Sequence, residues 1–150
     1  MVQKSGGCLC GSIRFEITGA PVLQVVCHCR MCQRASGAAF MGLIFFESGA
    51  VSLTKGRPNV YQGSETLRRH FCSACGSPIY VERTSSNRFG VLVGAMDDPG
   101  EFRPSMHICT SSAQPWLKLA DSLPNFIEKP PGMSATVSYD PKSGKVTEPR

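Results

Sequence analysis

Cys27-His28-Cys29-Arg30-Met31-Cys32 packs three thiols into six residues, and the reading of this run decides the fold. Cysteines so near one another in sequence do not close a disulfide framework among themselves, because bridge geometry needs a particular separation and direction of the Cβ atoms. Converging thiolates suit a soft metal ion instead. Two more thiol pairs lie outward from the run, Cys8-Leu9-Cys10 and Cys72-Ser73-Ala74-Cys75. The three groups use seven of the eight cysteines and leave Cys109 apart. A domain organised by metal is the first expectation.

The pairs complement each other. Gly76 follows Cys75 and can take the left-handed conformation that a Cys-x-x-Cys turn often requires, while Cys8 and Cys10 share one face of an extended segment. Combining Cys8, Cys10, Cys72 and Cys75 gives a closed tetrahedral site that joins two distant segments and stabilises the fold. The competing reading is a reversible Cys72–Cys75 disulfide. A thioredoxin-like motif, however, opens a helix after a strand, and here Pro78 and β-prone residues follow. Cys27, Cys29 and Cys32 then remain as three ligands with a fourth position open, the pattern that separates catalytic from structural zinc. Cys109, His28, His70 or His107 is the alternative that closes it. If 106–109 is a strand, His107 and Cys109 share a face.

Along the chain, Ile13, Phe15 and Ile17 alternate with polar residues and predict a strand over 11–18. A short strand over 22–26 delivers the chain into the central run, and 30–36 forms a helical turn ended by Gly37. Residues 38–46 are apolar on both faces, as in a central strand, with 51–54 as the expected hairpin mate. Residues 55–64 read as loop. Strands over 66–71 and 78–83 flank the second pair, and another runs over 89–96 before the Asp97-Asp98-Pro99-Gly100 turn. Residues 115–123 show no period, with Trp116, Leu117, Leu119 and Leu123 expected to anchor them to the core. The tail from Glu128 is partly loose or forms one late hairpin through Val137-Ser138-Tyr139. Short strands punctuated by glycine and proline make a mainly β domain, and 150 residues suffice for one domain that buries roughly 70% of its extended-chain surface.

Composition narrows the function. Residues 1–7 are polar and lack an apolar secretory region, which favours a reducing cytoplasm. No apolar stretch approaches the ~20 residues that span a bilayer. The net charge of +5 is scattered, with Arg68-Arg69 the only arginine doublet, so no nucleic-acid partner is expected. Thiolate-bound zinc would balance part of that charge. No paired carboxylates or Ser-His-acid grouping offers a competing mechanism.

Gly6-Gly7-Cys8-Leu9-Cys10-Gly11-Ser12-Ile13-Arg14-Phe15, Cys27-His28-Cys29-Arg30-Met31-Cys32-Gln33, Phe71-Cys72-Ser73-Ala74-Cys75-Gly76-Ser77, and His107 through Pro115-Trp116 to Leu123-Pro124-Asn125-Phe126 together resemble the glutathione-dependent formaldehyde-activating enzyme family, which includes centromere protein V-like domains. The resemblance covers 6–126 as one zinc domain and leaves 127–150 as a C-terminal tail. It implies a β-tent of stacked antiparallel sheets and two zinc ions per chain: a structural one at Cys8, Cys10, Cys72 and Cys75, and a labile one at Cys27, Cys29 and Cys32. The implied activity is addition of glutathione to formaldehyde, giving S-(hydroxymethyl)glutathione, a carbon–sulfur lyase reaction when written in reverse. The implied partners are a small-molecule thiol and a small aldehyde.

Three soft thiolates favour thiol exchange over water activation, so an incoming thiol is expected at the labile site, with Cys29 leaving to make room as the catalytic residue. Glutathione's two carboxylates call for arginine, and Arg30 and Arg34 flank the site; Arg68, Arg69 and Arg103 are further candidates. None of these, nor Asn59, Ser64 or His107, is assigned to substrate. Two other readings stand beside the lyase: a zinc-stabilised binding or scaffold module, and a thiol or sulfoxide oxidoreductase acting through Cys109 or a freed cysteine.

Overall fold

The computed structural model describes residues 3–133 and 138–147. In chain order the strands are β1 (Lys4–Gly7), β2 (Arg14–Ile17), β3 (Leu23–Cys27), β4 (Met41–Glu47), β5 (Val51–Lys55), β6 (Asn59–Gln62), β7 (Leu67–Phe71), β8 (Pro78–Arg83), β9 (Arg88–Leu92), β10 (Met106–Ile108), β11 (Ser138–Tyr139) and β12 (Val146–Thr147). One helix, α1 (Arg30–Ser36), follows β3, and short 3-10 turns occupy connections. The protein is mainly β. No helix among the described residues is long and apolar enough to cross a membrane.

Two compact units divide the chain, Met1–Gln24 with Leu43–Arg103 and Val25–Gly42 with Pro104–Arg150. The first holds an antiparallel sheet ordered β1-β2-β5 and an antiparallel ladder ordered β4-β9-β8-β7-β6. Alternation in β2 buries Phe15 and Ile17 completely, each side chain contributing about 1.5–3 kcal/mol. Phe46, Ile79 and Val91 complete the centre of this unit. Gly6 packs close: a Cβ on it would stand 2.2 Å from the Ala95 carbonyl oxygen and 2.4 Å from the Phe15 ring. At the surface, the Arg14 guanidinium forks onto both carboxylate oxygens of Asp97, which also accepts from the Ser5 hydroxyl at 2.6 Å.

In the second unit β10 runs parallel to the end of β3, with Met106, His107 and Ile108 opposite Val25, Val26 and Cys27. The following segment returns along β10: His107 N–H donates to Pro124 O and Phe126 N–H donates to His107 O, both at 2.9 Å. Cys29 caps α1 by accepting from Cys32 N–H at 3.3 Å. Gly37, at φ 69°, ends the helix with its N–H on Gln33 O at 2.8 Å. β11 and β12 pair as a two-residue antiparallel ladder, and Val137 of the expected late hairpin lies outside the described residues.

Several expected elements differ. The 51–54 segment is β5, but it pairs with β2, while β4 takes β9; β5 is exposed at every position after Val51, so its sequence carries no apolar face that selects a partner. The 55–64 loop contains strand β6, exposed at all four positions and therefore without hydrophobic alternation. β1 carries two glycines and no large apolar residue, and its pairing rests on backbone hydrogen bonds with β2. The 89–96 strand stops at Leu92, where a 3-10 turn begins. Trp116 is 69% exposed and Leu119 41%, so neither anchors the core; Leu117 and Leu123 are half-buried.

Candidate functional site

Two connections in the first unit, β1–β2 and β7–β8, bring Cys8, Cys10, Cys72 and Cys75 together, their sulfurs all within 4.8 Å of one another. Each pair is followed by a glycine in the left-handed conformation, Gly11 and Gly76, both at φ 76°. Backbone bonds shape both turns: Gly11 N–H reaches Cys8 O at 3.2 Å and Gly76 N–H reaches Cys72 O at 2.8 Å. Leu9 N–H ties them by donating to the Ser77 hydroxyl at 3.0 Å.

The sulfur spacing tests whether a metal fits. A tetrahedral ion with Zn–S bonds of ~2.3 Å sets its sulfurs about 3.8 Å apart, and here Cys8–Cys10 and Cys10–Cys72 stand at 3.6 and 3.8 Å. A disulfide would bring two sulfurs to ~2.05 Å; all eight cysteines are unbridged. Ile13 N–H donates to the Cys8 sulfur at 3.3 Å, and the Ser77 hydroxyl lies 3.2 Å from the Cys75 sulfur. The Ser77 hydroxyl leads in pulling the Cys75 thiol down to about 5.

In the second unit the end of β3 and the first turn of α1 gather Cys27, Cys29 and Cys32, again with all three sulfurs within 4.8 Å. Cys27 and Cys32 are buried and Cys29 is half-buried. Cys109 lies against Cys27 and, ahead of Cys29 and Cys32, pushes that thiol well above its ordinary range. A cation among crowded sulfurs reverses that preference, since it favours the thiolates. Cys109 is not a member of the three-sulfur group. Its backbone is left-handed at φ 56°, so β10 ends at Ile108 and the alternation that would pair Cys109 with His107 is broken.

The histidines are engaged elsewhere. His107 places Nδ1 2.9 Å from His28 Nε2 and Nε2 2.7 Å from Asp121 Oδ2. His70 sits on β7 against Glu82 at 2.9 Å. Bonding to His107 holds the Asp121 carboxyl below its usual range, and an ionised carboxylate only accepts, so His107 Nε2 carries the hydrogen. Burial first, then the neighbouring His107, pull His28 below the ordinary imidazole range. His28 Nδ1 is buried without a hydrogen-bond partner among the described residues.

Residues 30–39 and 114–116 border a second feature, an open groove of about 470 Å³ that includes Arg30, Gln33, Arg34, Gln114 and Trp116. Buried Gln33 organises it, donating to His28 O at 2.7 Å and Ser112 O at 2.9 Å while accepting from Gln114 at 3.1 Å. Gln114 in turn accepts from the Trp116 indole at 2.6 Å. Of the other arginines singled out from sequence, Arg68 bonds Gln62 and Glu82, and Arg103 donates to the carbonyls of Gly100 and Phe102. Gln33, Gln114 and Asp121 escaped the sequence reading. Gln33 lies one residue beyond a thiol and was within reach of it; Asp121 stands in an aperiodic stretch and carried no signal.

In a crystal structure, a protein of Rhodobacter sphaeroides shares the fold at a TM-score of 0.52 and 24% identity, over 62% of this chain and 87% of that one. The family model described as glutathione-dependent formaldehyde-activating enzyme matches residues 3–112, a span that contains all seven clustered cysteines and Cys109. The chain belongs to the glutathione-dependent formaldehyde-activating enzyme family.

Proposed function

We propose that the protein is a carbon–sulfur lyase of the S-(hydroxymethyl)glutathione synthase type, joining glutathione or a related thiol to formaldehyde or another small aldehyde. In the forward direction the thiol sulfur bonds to the carbonyl carbon, the C=O π bond breaks, and the thiol hydrogen ends on oxygen. The observation that carries this reading is the three-sulfur group, with Cys29 half-buried, Cys109 outside it and both His107 nitrogens engaged.

Zinc is the ion proposed for both groups, structural at Cys8, Cys10, Cys72 and Cys75 and labile at Cys27, Cys29 and Cys32. At the labile group it would supply a soft cation that favours the thiolate form of a bound thiol or polarises a carbonyl. Cys29 is assigned the catalytic role of giving way to the incoming thiol, because it is the more accessible of the three and sits at a helix cap. Arg30 and Arg34 face the 470 Å³ groove, and arginine forks suit the two carboxylates of glutathione. Residues 6–126 form the working domain in this reading, with 127–150 as its tail. Eight unbridged cysteines fit a reducing cytoplasmic setting.

Exchange NMR of formaldehyde with glutathione tests the reaction, with and without the zinc-loaded protein. Accelerated exchange that Cys29→Ser lowers by roughly 100-fold, the scale of losing one catalytic group, supports it. An exchange rate that the wild-type protein leaves unchanged withdraws the reaction and favours a scaffold role for both metals.

A further inference from the structure

The outermost strand of a sheet carries backbone N–H and C=O groups that another strand can pair with, and folded chains cover or blunt such edges. Here β10, β1 and β5 are defended. Residues 124–126 return along β10, with His107 N–H on Pro124 O and Phe126 N–H on His107 O. The outer side of β1 meets residues 96–97, where Gly6 bridges Met96 and Asp97 N–H donates to Ser5 O at 2.9 Å; β5 ends on Lys55. β6 has neither cover nor charge. It closes the ladder beyond β7, no described residue pairs with its other side, and its four residues, Asn59-Val60-Tyr61-Gln62, are all neutral and all exposed. Val60 and Tyr61 are 50% and 57% exposed, and consecutive strand residues point to opposite faces, so the edge is bare on both faces.

Hydrogen bonding to β7 fixes which backbone groups of β6 turn outward. Gly63 N–H donates to Leu67 O at 2.9 Å, one step beyond the register that sets Gln62 opposite Arg68 and Tyr61 opposite Arg69. Antiparallel pairs alternate between bonded and non-bonded. Asn59 and Tyr61 therefore direct their N–H and C=O groups to β7, and Val60 and Gln62 turn theirs away from it. An incoming strand meets two donors and two acceptors.

We propose that β6 is the docking surface for a second copy of this chain, the two β6 strands pairing antiparallel about a two-fold axis at Tyr61. Val60 of each copy then exchanges both backbone bonds with Gln62 of the other, and the two Tyr61 side chains meet as a non-bonded pair, the geometry that brings side chains closest. The neighbouring two-fold registers are poorer. Centring on Val60 sets Gln62 against Pro58, which has no N–H, and centring on Gln62 sets Val60 against Ser64, past the end of the strand.

Charge favours the same register. Arg57 and Glu65 lie four residues to either side of Tyr61. Both are exposed, and among the described residues neither forms an ion pair. Antiparallel pairing about Tyr61 brings Arg57 of each copy to Glu65 of the other, so the contact is self-complementary, as a two-fold interface requires. The edge alone offers less than the roughly 800 Å² per partner of a standard stable interface, and each copy carries a net charge of +5, so the dimer is a weak one. None of these residues belongs to the thiol groups, and the dimer stands independently of the lyase reading.

Sedimentation velocity of the zinc-loaded full chain in reducing buffer, from about 10 μM to about 1 mM, reads the association, and amide hydrogen exchange at both ends of that range locates it. A shift from monomer to dimer is expected, with exchange at the Val60 and Gln62 N–H groups slowing at high concentration and that of Tyr61, already bonded to β7, changing less. Tyr61→Lys sets two like charges on the axis and is expected to weaken the dimer about tenfold or more, with metal content and the melting temperature of the monomer unchanged. Arg57→Glu and Glu65→Arg are each expected to weaken it too, while an equimolar mixture of these two variants, or both substitutions in one chain, restores it. These two positions lie outside β6, so they carry the test should Tyr61→Lys fail to fold. A chain that stays monomeric over the whole range overturns the proposal. A dimer that all three single substitutions leave intact, or one in which Val60 and Gln62 gain no protection, also overturns it by placing the contact elsewhere.

Discussion

At the scale of single residues, Gly6 shows how backbone proximity dictates a side chain. Its hydrogen atom faces the Ala95 carbonyl and the Phe15 ring at distances no Cβ tolerates, so Gly6→Ala must push β1 away from a fully buried aromatic ring. The expected loss is about 1–3 kcal/mol, the range for overpacking a filled interior, read as a lower urea midpoint; an unchanged midpoint contradicts the packing described. The cysteines divide by the same logic. Cys72→Ser removes a ligand from the closed four-sulfur group and is expected to lower the melting temperature sharply and to drop bound metal to one ion per chain. Cys29→Ser is expected to weaken retention of the other ion while shifting the melting temperature by only a few degrees; metal analysis alongside calorimetry separates the two cases. Thiol spacing made these seven residues legible in the sequence, because sulfurs two or three positions apart converge by local geometry alone. Asp121 and His107 were not legible as a pair. Fourteen positions separate them, and only the return of 124–126 along β10 brings them together.

Among elements, legibility follows how local the cause is. Alternation in β2, the Gly37 stop of α1, and the turn joining β7 to β8 each reside within a few residues, and each was readable. The partner of β5 was not, because the strand is exposed at every position after Val51 and carries no apolar face that selects a neighbour. The Arg14–Asp97 pair ties β2 to the segment after β9 and carries a pH signature. Arg14 first, then Ser5, draw the Asp97 carboxyl down to about 2 from 3.8. A carboxyl depressed on folding contributes stability that is complete above its unfolded value near 3.8 and declines as pH falls toward 2. Both side chains are more than a third exposed, so screening limits the contribution to less than ~1 kcal/mol. Comparing urea midpoints at pH 6 and pH 2.5, the wild type is expected to lose slightly more stability than Asp97→Asn. Equal losses would mean that the fork adds nothing in solution.

For the whole molecule, the distribution of sulfur between the two units would set the order in which the proposed metal ions leave. The first unit holds four thiols within 4.8 Å of one another, each turn followed by a left-handed glycine and held by a hydrogen bond to sulfur. The second unit holds three, with its third member half-buried at a helix cap. A closed four-ligand set retains its ion against competitors that reach an open one, and binding confined to the folded state adds to stability in proportion to the logarithm of free metal. Graded chelation is therefore expected to release one equivalent first, with little change in far-ultraviolet circular dichroism, and the second only with a stronger chelator and with unfolding of the β structure. Buffering free zinc at a thousand times the dissociation constant of the tight site should add about 4 kcal/mol relative to the metal-free chain, visible as a melting temperature that keeps climbing with the logarithm of free zinc. Simultaneous loss of both equivalents at one chelator strength would show that the groups do not differ in closure, and the assignment of Cys29 as the exchangeable thiol would fall with it.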